Sequence, residues 1–397
     1  MKTGRPGNNE GAKKAKTGKI ILFAVEIVVL AVLVVGLWLV FRATGAGNSE
    51  DGDGTTSISN GGVLKLSIDE KELEETFNEE VKENEALKGY RNIALFGVDS
   101  REGQLAQKTR TDTIMIASIN EETKEVKLVS VYRDTYLNQM GSVEAFGKCN
   151  ASYAYGGAEQ SIKMLNANLD MDITDFITIG FTGLTDVIDA LGGVQIEVDS
   201  EEIKHINNYQ IEMVSKGVAP KYEAVTETGN LTLNGLQATA YCRIRYTAGN
   251  DFKRTERQRE VLKATLEKAK TASPTDLAKI CNNVFSEVYT SLDLTEILEL
   301  LTEVTSYNIV DEAGFPTEGQ ITTGTIGSKG SCVIPLDLES NVKWLHGFLF
   351  GDTSYAPSEN VKKYSQTIYN ETNPYLTGAA TIKDTNAYTD ESTDDGE

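Results

Sequence analysis

Residues 111–133 read TDTIMIASIN-EETK-EVKLVSVYR: two apolar runs of strand length joined by four polar residues. Val, Ile and Thr crowd both runs, and Glu121–Lys124 suits a tight turn, so the pair predicts a β-hairpin. About that turn, paired positions in an antiparallel ladder keep a constant index sum near 244–245. Asp112 and Arg133 satisfy it, which places them side by side at the open end, away from the turn. Upstream, Asn92–Asp99 (NIALFGVD) is a short apolar run ending in a turn, a buried strand by length and flanks. If it pairs antiparallel with 111–120, its far end brings Asp99 and Arg101 to the same rim. A strand-end Asp or Arg is ordinarily a solvated cap or ion pair. Four such residues converging from three strands make a reasonable site for a metal and a phosphorylated ligand.

Working outward, strands and helices alternate. Tyr153–Leu169 reads as a helix after a Gly-Gly turn, Phe176–Gly180 as a strand and Gly183–Leu191 as a helix closed by Gly192-Gly193. Val194–Val198 and Ala240–Tyr246 read as further strands, and Asp251 can cap a long helix to about Lys270. A helical pair at 275–306 and a helix near 337–349 complete the body. The expected fold class is α/β, a mixed central β-sheet flanked by helices on both faces. No internal repeat is found.

A second cluster lies in 240–263, which carries seven basic and three acidic residues in a chain of net charge −21. Read as a strand, Tyr241–Tyr246 alternates, so Arg243 and Arg245 share one face. In the following helix Arg254 and Gln258 stand at i and i+4 and share a face as well. A solvated helix with its own Glu256 and Glu260 accounts for Lys253, Arg259 and Lys263. It does not account for two arginines on one strand face. Planar guanidinium forks at that spacing suit a diphosphate, which needs several charge-assisted bonds.

The chain has 397 residues, 38 Lys and Arg against 59 Asp and Glu, and a pI near 4.7, which argues against a nucleic-acid partner. It has two histidines, His205 and His346, so histidine-based zinc or triad chemistry is starved of candidates. Residues 1–19 form a basic stub. Residues 20–41 are 22 positions with one charge, Glu26, and predict a transmembrane helix of roughly 33 Å. The apolar run is too long for a cleaved signal peptide and lacks a small-x-small end. The positive-inside bias puts the N-terminus in the cytoplasm and the bulk outside the cell membrane. Residues 42–90 read as a linker and acidic helical stalk, with Leu73, Phe77 and Val81 at i+4 steps over a helix at 67–88. The folded domain is expected over 91–370 and a disordered acidic tail over 371–397. Cys149, Cys242, Cys281 and Cys332 fit no zinc or thioredoxin spacing, and disulfide pairing stays open.

In order and at fitting intervals the chain also carries ALFGVDSR, TRTDTIMIASIN, VSVYRDTYL, KCNASYAYGG, DALGGVQIEV and CRIRYTAGNDFKRTERQREVLKA. This series, over roughly 91–270, resembles the LytR–CpsA–Psr family of bacterial envelope proteins, as does the single N-terminal span. NVKWLHGFLF and YAPSENV resemble the family's C-terminal continuation. The resemblance implies a membrane-anchored phosphotransferase, of the Gram-positive type. Its donor partner would be a polyprenyl-pyrophosphate-linked glycopolymer, whether teichoic acid, capsule or another glycan. Its acceptor would be a muramic-acid hydroxyl of peptidoglycan, joined through a phosphodiester. It implies Mg²⁺ (Mn²⁺ as a substitute) held by Asp99 and Asp112. It places Arg133, Arg243 and Arg245 on the pyrophosphate, with Arg254 and Gln258 as further ligand contacts. Arg101, Arg110 and Asp134 also fall on motif positions. The chain departs from the family in having Tyr132 where Pro is common and Cys149 where Ile or Leu is usual. No histidine is near, so Asp99 or Asp134 is the candidate base for the acceptor hydroxyl. A pyrophosphatase would use the same residues with water as acceptor; a non-catalytic wall-polymer sensor or attenuator would tolerate loss of the acids.

Overall fold

The structure is a computed structural model and describes residues 64–65, 73–74, 76–98, 105, 109–141, 144–245, 250–271, 288–292 and 306–378. The basic stub, the apolar span at 20–41, Asp99, Arg101, Cys281 and the end of the acidic tail lie outside the described residues. Among the described residues no helix is long and apolar enough to cross a membrane.

The hairpin forms as its spacing predicts. Strands β3 (Thr111–Asn120) and β4 (Glu125–Val131) pair antiparallel, with Met115 opposite Ser130 and Ile119 opposite Val126. The turn is held by the Asn120 side chain, which accepts from the Glu122 and Thr123 amides at 3.0 and 2.9 Å. Strand β2 (Tyr90–Val98) pairs antiparallel with β3 and parallel with β7 (Asp175–Gly180). With β1 (Leu64–Lys65), β10 (Val288–Thr290) and β11 (Asn308–Phe315) they form one mixed sheet, ordered β1-β10-β7-β2-β3-β4-β11. Two small hairpins stand apart, β5 (Tyr136–Asn138) with β6 (Phe146–Lys148) and β12 (Ile321–Thr325) with β13 (Ser331–Pro335).

Alternate residues of the sheet feed two cores, because successive side chains in a strand point to opposite faces. Ala94, Phe96, Val98, Ile114, Ile116 and Phe176 pack with helices α2 (Ala151–Leu169), α7 (Leu338–Phe350) and α8 (Glu359–Leu376). Leu95, Met115, Ile177 and Ile179 face α3 (Phe181–Ala190), α5 (Gly235–Cys242) and α6 (Asn250–Lys270). The expected mixed sheet with helices on both faces is therefore present.

Several local expectations change. Ala240–Tyr246 is not a strand: α5 runs to Cys242 and Arg243 is its C-cap. The whole of α5 is buried, so its sequence has no polar face to reveal the period. What starts the helix is a capping box, with the Asn234 side chain on the Gln237 amide and the Gln237 side chain on the Asn234 amide. Val194–Val198 forms β8 but pairs with β9 (Gly229–Leu233) outside the central sheet. Between them α4 (Ser200–Ser215) starts at a second capping box, Asp199 with Glu202. Helix α2 begins at Ala151, and Gly156-Gly157 form a kink inside it rather than a turn before it.

The 67–88 segment is not one helix. Asn78 is extended and buried, only the four-residue α1 (Glu79–Lys82) follows it, and Leu73, Val81 and Leu87 belong to the main core. Within 275–306 the described residues include the strand β10. Helix α8 carries the folded body to Leu376, past the expected start of the tail at 371. Thr372 is buried there, and Glu371 accepts a hydrogen bond from Tyr136.

Candidate active site

The rim that the hairpin register singles out carries a β-bulge. Gly97 pairs with Thr113 and Val98 with Thr111, so Asp112 is the extra residue between them. A bulge bends the strand and re-aims its side chain. The Asp112 carboxylate is bonded by Arg133 Nη1 and lies 3.2 Å from Arg245 Nη2, while Arg254 Nη2 donates to the Asp112 carbonyl at 3.4 Å. The structure thus brings together Asp112, Arg133, Arg245 and Arg254 from three separate parts of the chain. Arg243 joins Asp112, Arg245 and Arg254 in lining one pocket, with Gln258, Phe181, Tyr209 and Cys242, while Arg133 reaches it through Asp112. The two arginines share it without a strand, because the chain turns at the end of α5, where the Arg243 and Ile244 amides donate to the Ala240 and Tyr241 carbonyls.

Asp134 lies on the far side of Arg133, 3.6 Å from its Nε, and 3.2 Å from Lys148 Nζ. Lys148 belongs to the KCNASYAYGG stretch but was not among the expected site residues. Its neighbour Cys149 fixes the turn: the thiol donates to the Tyr132 and Arg133 carbonyls at 3.3 Å, and burial pushes its pKa well up. Tyr132 packs edge-on against Phe252 at 4.6 Å, so the absent proline leaves Arg133 within reach of Asp112. Arg110 is exposed and makes no ion pair among the described residues. Asp99 and Arg101 lie outside them.

Helix α6 splits its charges by face. Lys253 pairs with Glu256 at 2.8 Å as expected for a solvated helix. Arg259 and Lys263 instead reach Glu312 on β11 at 3.4 and 2.7 Å. Glu260 accepts from the Tyr241 hydroxyl at 2.8 Å, and burial raises its pKa. Two residues of the pocket wall, Phe181 and Tyr209, and Glu212 behind it carry no signal in the sequence reading. Arg243 lies 5.0 Å over the Phe181 ring and 4.9 Å over the Tyr209 ring, and its Nη2 is 3.1 Å from Glu212. The Asp199-x-x-Glu202 capping signature was the available sign of the helix that carries two of them.

Beside this polar pocket lies an apolar cavity of about 120 Å³, between the sheet (Leu95, Met115, Ile177) and α6 (Val261, Leu262). Phe181, Cys242 and Gln258 line both, so the two share a wall. Cys242 is buried at that wall, and burial pushes its thiol up to about 12, leaving it neutral and apolar in character at physiological pH. Cys149, Cys242 and Cys332 are free thiols. The adjoining cavities suit an amphiphile with a multiply charged anionic head.

Among the described residues no cluster of three or more His, Cys, Asp or Glu side chains forms a ready metal cage. Mg²⁺ does not require one: it is held through one or two carboxylates, with waters and substrate phosphates completing an octahedron. Asp112 offers such a hard oxygen donor at the pocket edge. Asp99 follows Val98, whose partner Thr111 precedes Asp112. The described donor at this edge, the Asp112 carboxylate, is of the kind Mg²⁺ takes together with a phosphorylated ligand.

A profile of the LytR_cpsA_psr family matches residues 60–331. The polyisoprenyl-teichoic acid–peptidoglycan teichoic acid transferase TagT of Bacillus subtilis is 30% identical over 234 residues, 58% of this chain and 69% of that protein. The transferase TagU of Halalkalibacterium halodurans is 34% identical over 211 residues, 53% of this chain and 63% of that protein, just under two thirds of its length. A solved structure of TagT with bound octaprenyl pyrophosphate lipid superposes with a TM-score of 0.51 at 23% identity, over 70% of this chain and 97% of that one. At that identity the likeness carries the fold.

Proposed function

The chain belongs to the LytR–CpsA–Psr family, and from that premise we propose that it transfers a polyprenyl-pyrophosphate-linked glycopolymer to peptidoglycan. The observation that carries this reading is an arginine-lined pocket set beside an apolar cavity. A pyrophosphate needs several charge-assisted donors and a polyprenyl chain needs an apolar channel; the two cavities supply both side by side, across Phe181, Cys242 and Gln258. The relatives named as teichoic acid transferases and the lipid in the TagT structure support the same substrate class.

In the proposed reaction an acceptor hydroxyl of peptidoglycan attacks the phosphorus that bears the glycan. The new P–O bond makes a phosphodiester, the bond to the bridging oxygen breaks, and polyprenyl phosphate leaves with the negative charge. Arg243, Arg245 and Arg254 hold the diphosphate and neutralise the charge that grows on the leaving phosphate. Arg133 is paired with Asp112, a residue of the pocket wall, and is proposed to meet the transferred phosphoryl there. Mg²⁺ on Asp112 and Asp99 would supply further charge neutralisation at the phosphoryl oxygens. Asp134 is engaged by Arg133 and Lys148, so its proposed part is to hold Arg133. This favours Asp99 over Asp134 as the base for the acceptor hydroxyl. Arg101 and Arg110, on neighbouring motif positions, are proposed to meet the glycan phosphate from the solvent side.

The apolar span at 20–41 is proposed as a membrane anchor that keeps the domain at the extracytoplasmic surface, where a lipid-linked donor would enter the cavity from the bilayer. The test is transfer from a polyprenyl-pyrophosphate-glycan donor to peptidoglycan by Asp112→Ala and Arg243→Ala, with and without Mg²⁺. Each substitution is expected to cut transfer by about 10²–10³-fold, the loss of one pre-organised electrostatic contact. Unchanged transfer in both variants would overturn the assignment. Free phosphorylated polymer with none attached to peptidoglycan would turn it towards a pyrophosphatase.

A further inference from the structure

Arg243 is the pocket arginine with the most elaborate surroundings. Its guanidinium lies over two aromatic rings, Phe181 of α3 and Tyr209 of α4, at 5.0 and 4.9 Å. One of its terminal nitrogens is 3.1 Å from Glu212, one helical turn beyond Tyr209 on α4. Glu212 is itself held by Lys216 at 2.7 Å. Tyr209 and Phe181 line the pocket, whereas Glu212 is not among its lining residues and bonds Arg243 from behind. Burial would raise the Glu212 pKa, but the bonds from Lys216 and Arg243 outweigh it and hold the carboxyl below its usual range, so it stays charged.

Helix α4 reaches this position on its own anchors. Ile206, Gln210 and Met213 are buried, while Tyr209 and Glu212 are only half-buried. Tyr209 lies at the edge of the core that Ile206 and Met213 enter, a place that any large apolar side chain can fill, and among the described residues the acid at 212 bonds only Lys216 and Arg243. A long arginine side chain left in open solvent spends its time among many rotamers, and ordering it opposes ligand binding. Rings on its face and a carboxylate at its edge remove that freedom before the ligand arrives.

We propose that Tyr209 and Glu212 of α4 are positioning residues that hold Arg243 in its anion-binding geometry, a role that rests on the pyrophosphate reading of the pocket. They act through Arg243 and touch no reacting atom. The ring does the positioning at 209, so Tyr209→Phe keeps most of the effect and Tyr209→Leu loses it.

The experiment measures binding of octaprenyl pyrophosphate to the full chain in detergent, with thermal unfolding of each variant in parallel. Tyr209→Leu and Glu212→Ala are each expected to weaken binding about three- to tenfold, with Tm unchanged and Tyr209→Phe close to the parent. The decisive arm repeats both substitutions in an Arg243→Ala background, where they are expected to cost nothing further, because residues acting through a common partner are not additive. Equal losses with and without Arg243 would overturn the proposal, as would unchanged binding in Tyr209→Leu and Glu212→Ala. If Arg243→Ala itself binds like the parent, the pyrophosphate reading of the pocket falls and the positioning role with it.

Discussion

Arg257 stands outside the expected site, yet it ties that site together. It is 2% exposed, donates from Nε to Glu202 at 2.8 Å, and from Nη1 to the carbonyl of Ile244 at 3.4 Å. Ile244 separates Arg243 from Arg245, so one buried ion pair fixes the backbone that presents both. Glu202 also closes the capping box of α4, its carboxylate accepting from the Asp199 amide at 3.0 Å. Removing one partner of a buried pair strands the other charge in a poor dielectric. Glu202→Ala is therefore expected to lower unfolding stability by about 3–5 kcal/mol, read from urea denaturation. Stability within 1 kcal/mol of the parent would contradict that ordering of effects. The residue scale is also where sequence reading was strongest. The index sum of the hairpin puts Arg133 beside Asp112, as the structure has it, whereas the bulge that re-aims Asp112 has no signature in the spacing.

At the scale of the element, α5 shows how a strand-like pattern can belong to a helix. Tyr-Cys-Arg-Ile-Arg-Tyr alternates in sequence, but the buried helix ends before the alternation does, and its two arginines leave from the C-cap and the turn beyond. Helix α5 packs on α3 at very short range. A Cβ on Gly235 would lie 2.0 Å from the Thr185 carbonyl oxygen, and the Gly235 amide donates to Asp189 at 2.6 Å. Backbone cannot retreat as a side chain can, so Gly235→Ala must push the helices apart. The expected cost is about 1–3 kcal/mol by denaturation, with weaker pyrophosphate binding because Arg243 moves with α5. Normal stability and binding together would show that the helices have slack. The Thr185 and Thr239 hydroxyls, 3.0 Å apart, bridge the same interface.

At the scale of the molecule, the site follows from the sheet's direction. Strands β2, β7, β4 and β11 run parallel with their C-terminal ends at one rim, and antiparallel β3 begins there. In open α/β sheets that edge is where ligands bind, because the loops that leave it converge. The apolar cavity occupies the space where α6 stands off the sheet, and its length sets how much lipid can be taken in. Leu262→Trp, which fills part of it, is expected to weaken octaprenyl pyrophosphate binding about tenfold or more, at roughly 0.8 kcal/mol per CH₂ excluded. A short-chain geranyl pyrophosphate should bind as to the parent. Equal loss of both ligands would mean that the tryptophan disturbs the headgroup pocket.

The sequence alone determined the hairpin, the mixed sheet and the candidate chemistry, because strand period, turn residues and charged motifs are local properties. Its arginines at 243 and 245 line one pocket, but they leave from a helix C-cap and the turn beyond it, not from a strand. Tertiary structure decided three things. It showed that α5 is a helix, since burial on all sides erases the periodic signal on which sequence reading depends. It brought Tyr209 and Glu212 of α4, more than 30 positions before Arg243, against that residue's guanidinium, a contact with no trace in local spacing. It set a polar pocket beside an apolar cavity. A cavity is the space that packed elements leave between them, and no single stretch of chain encodes it.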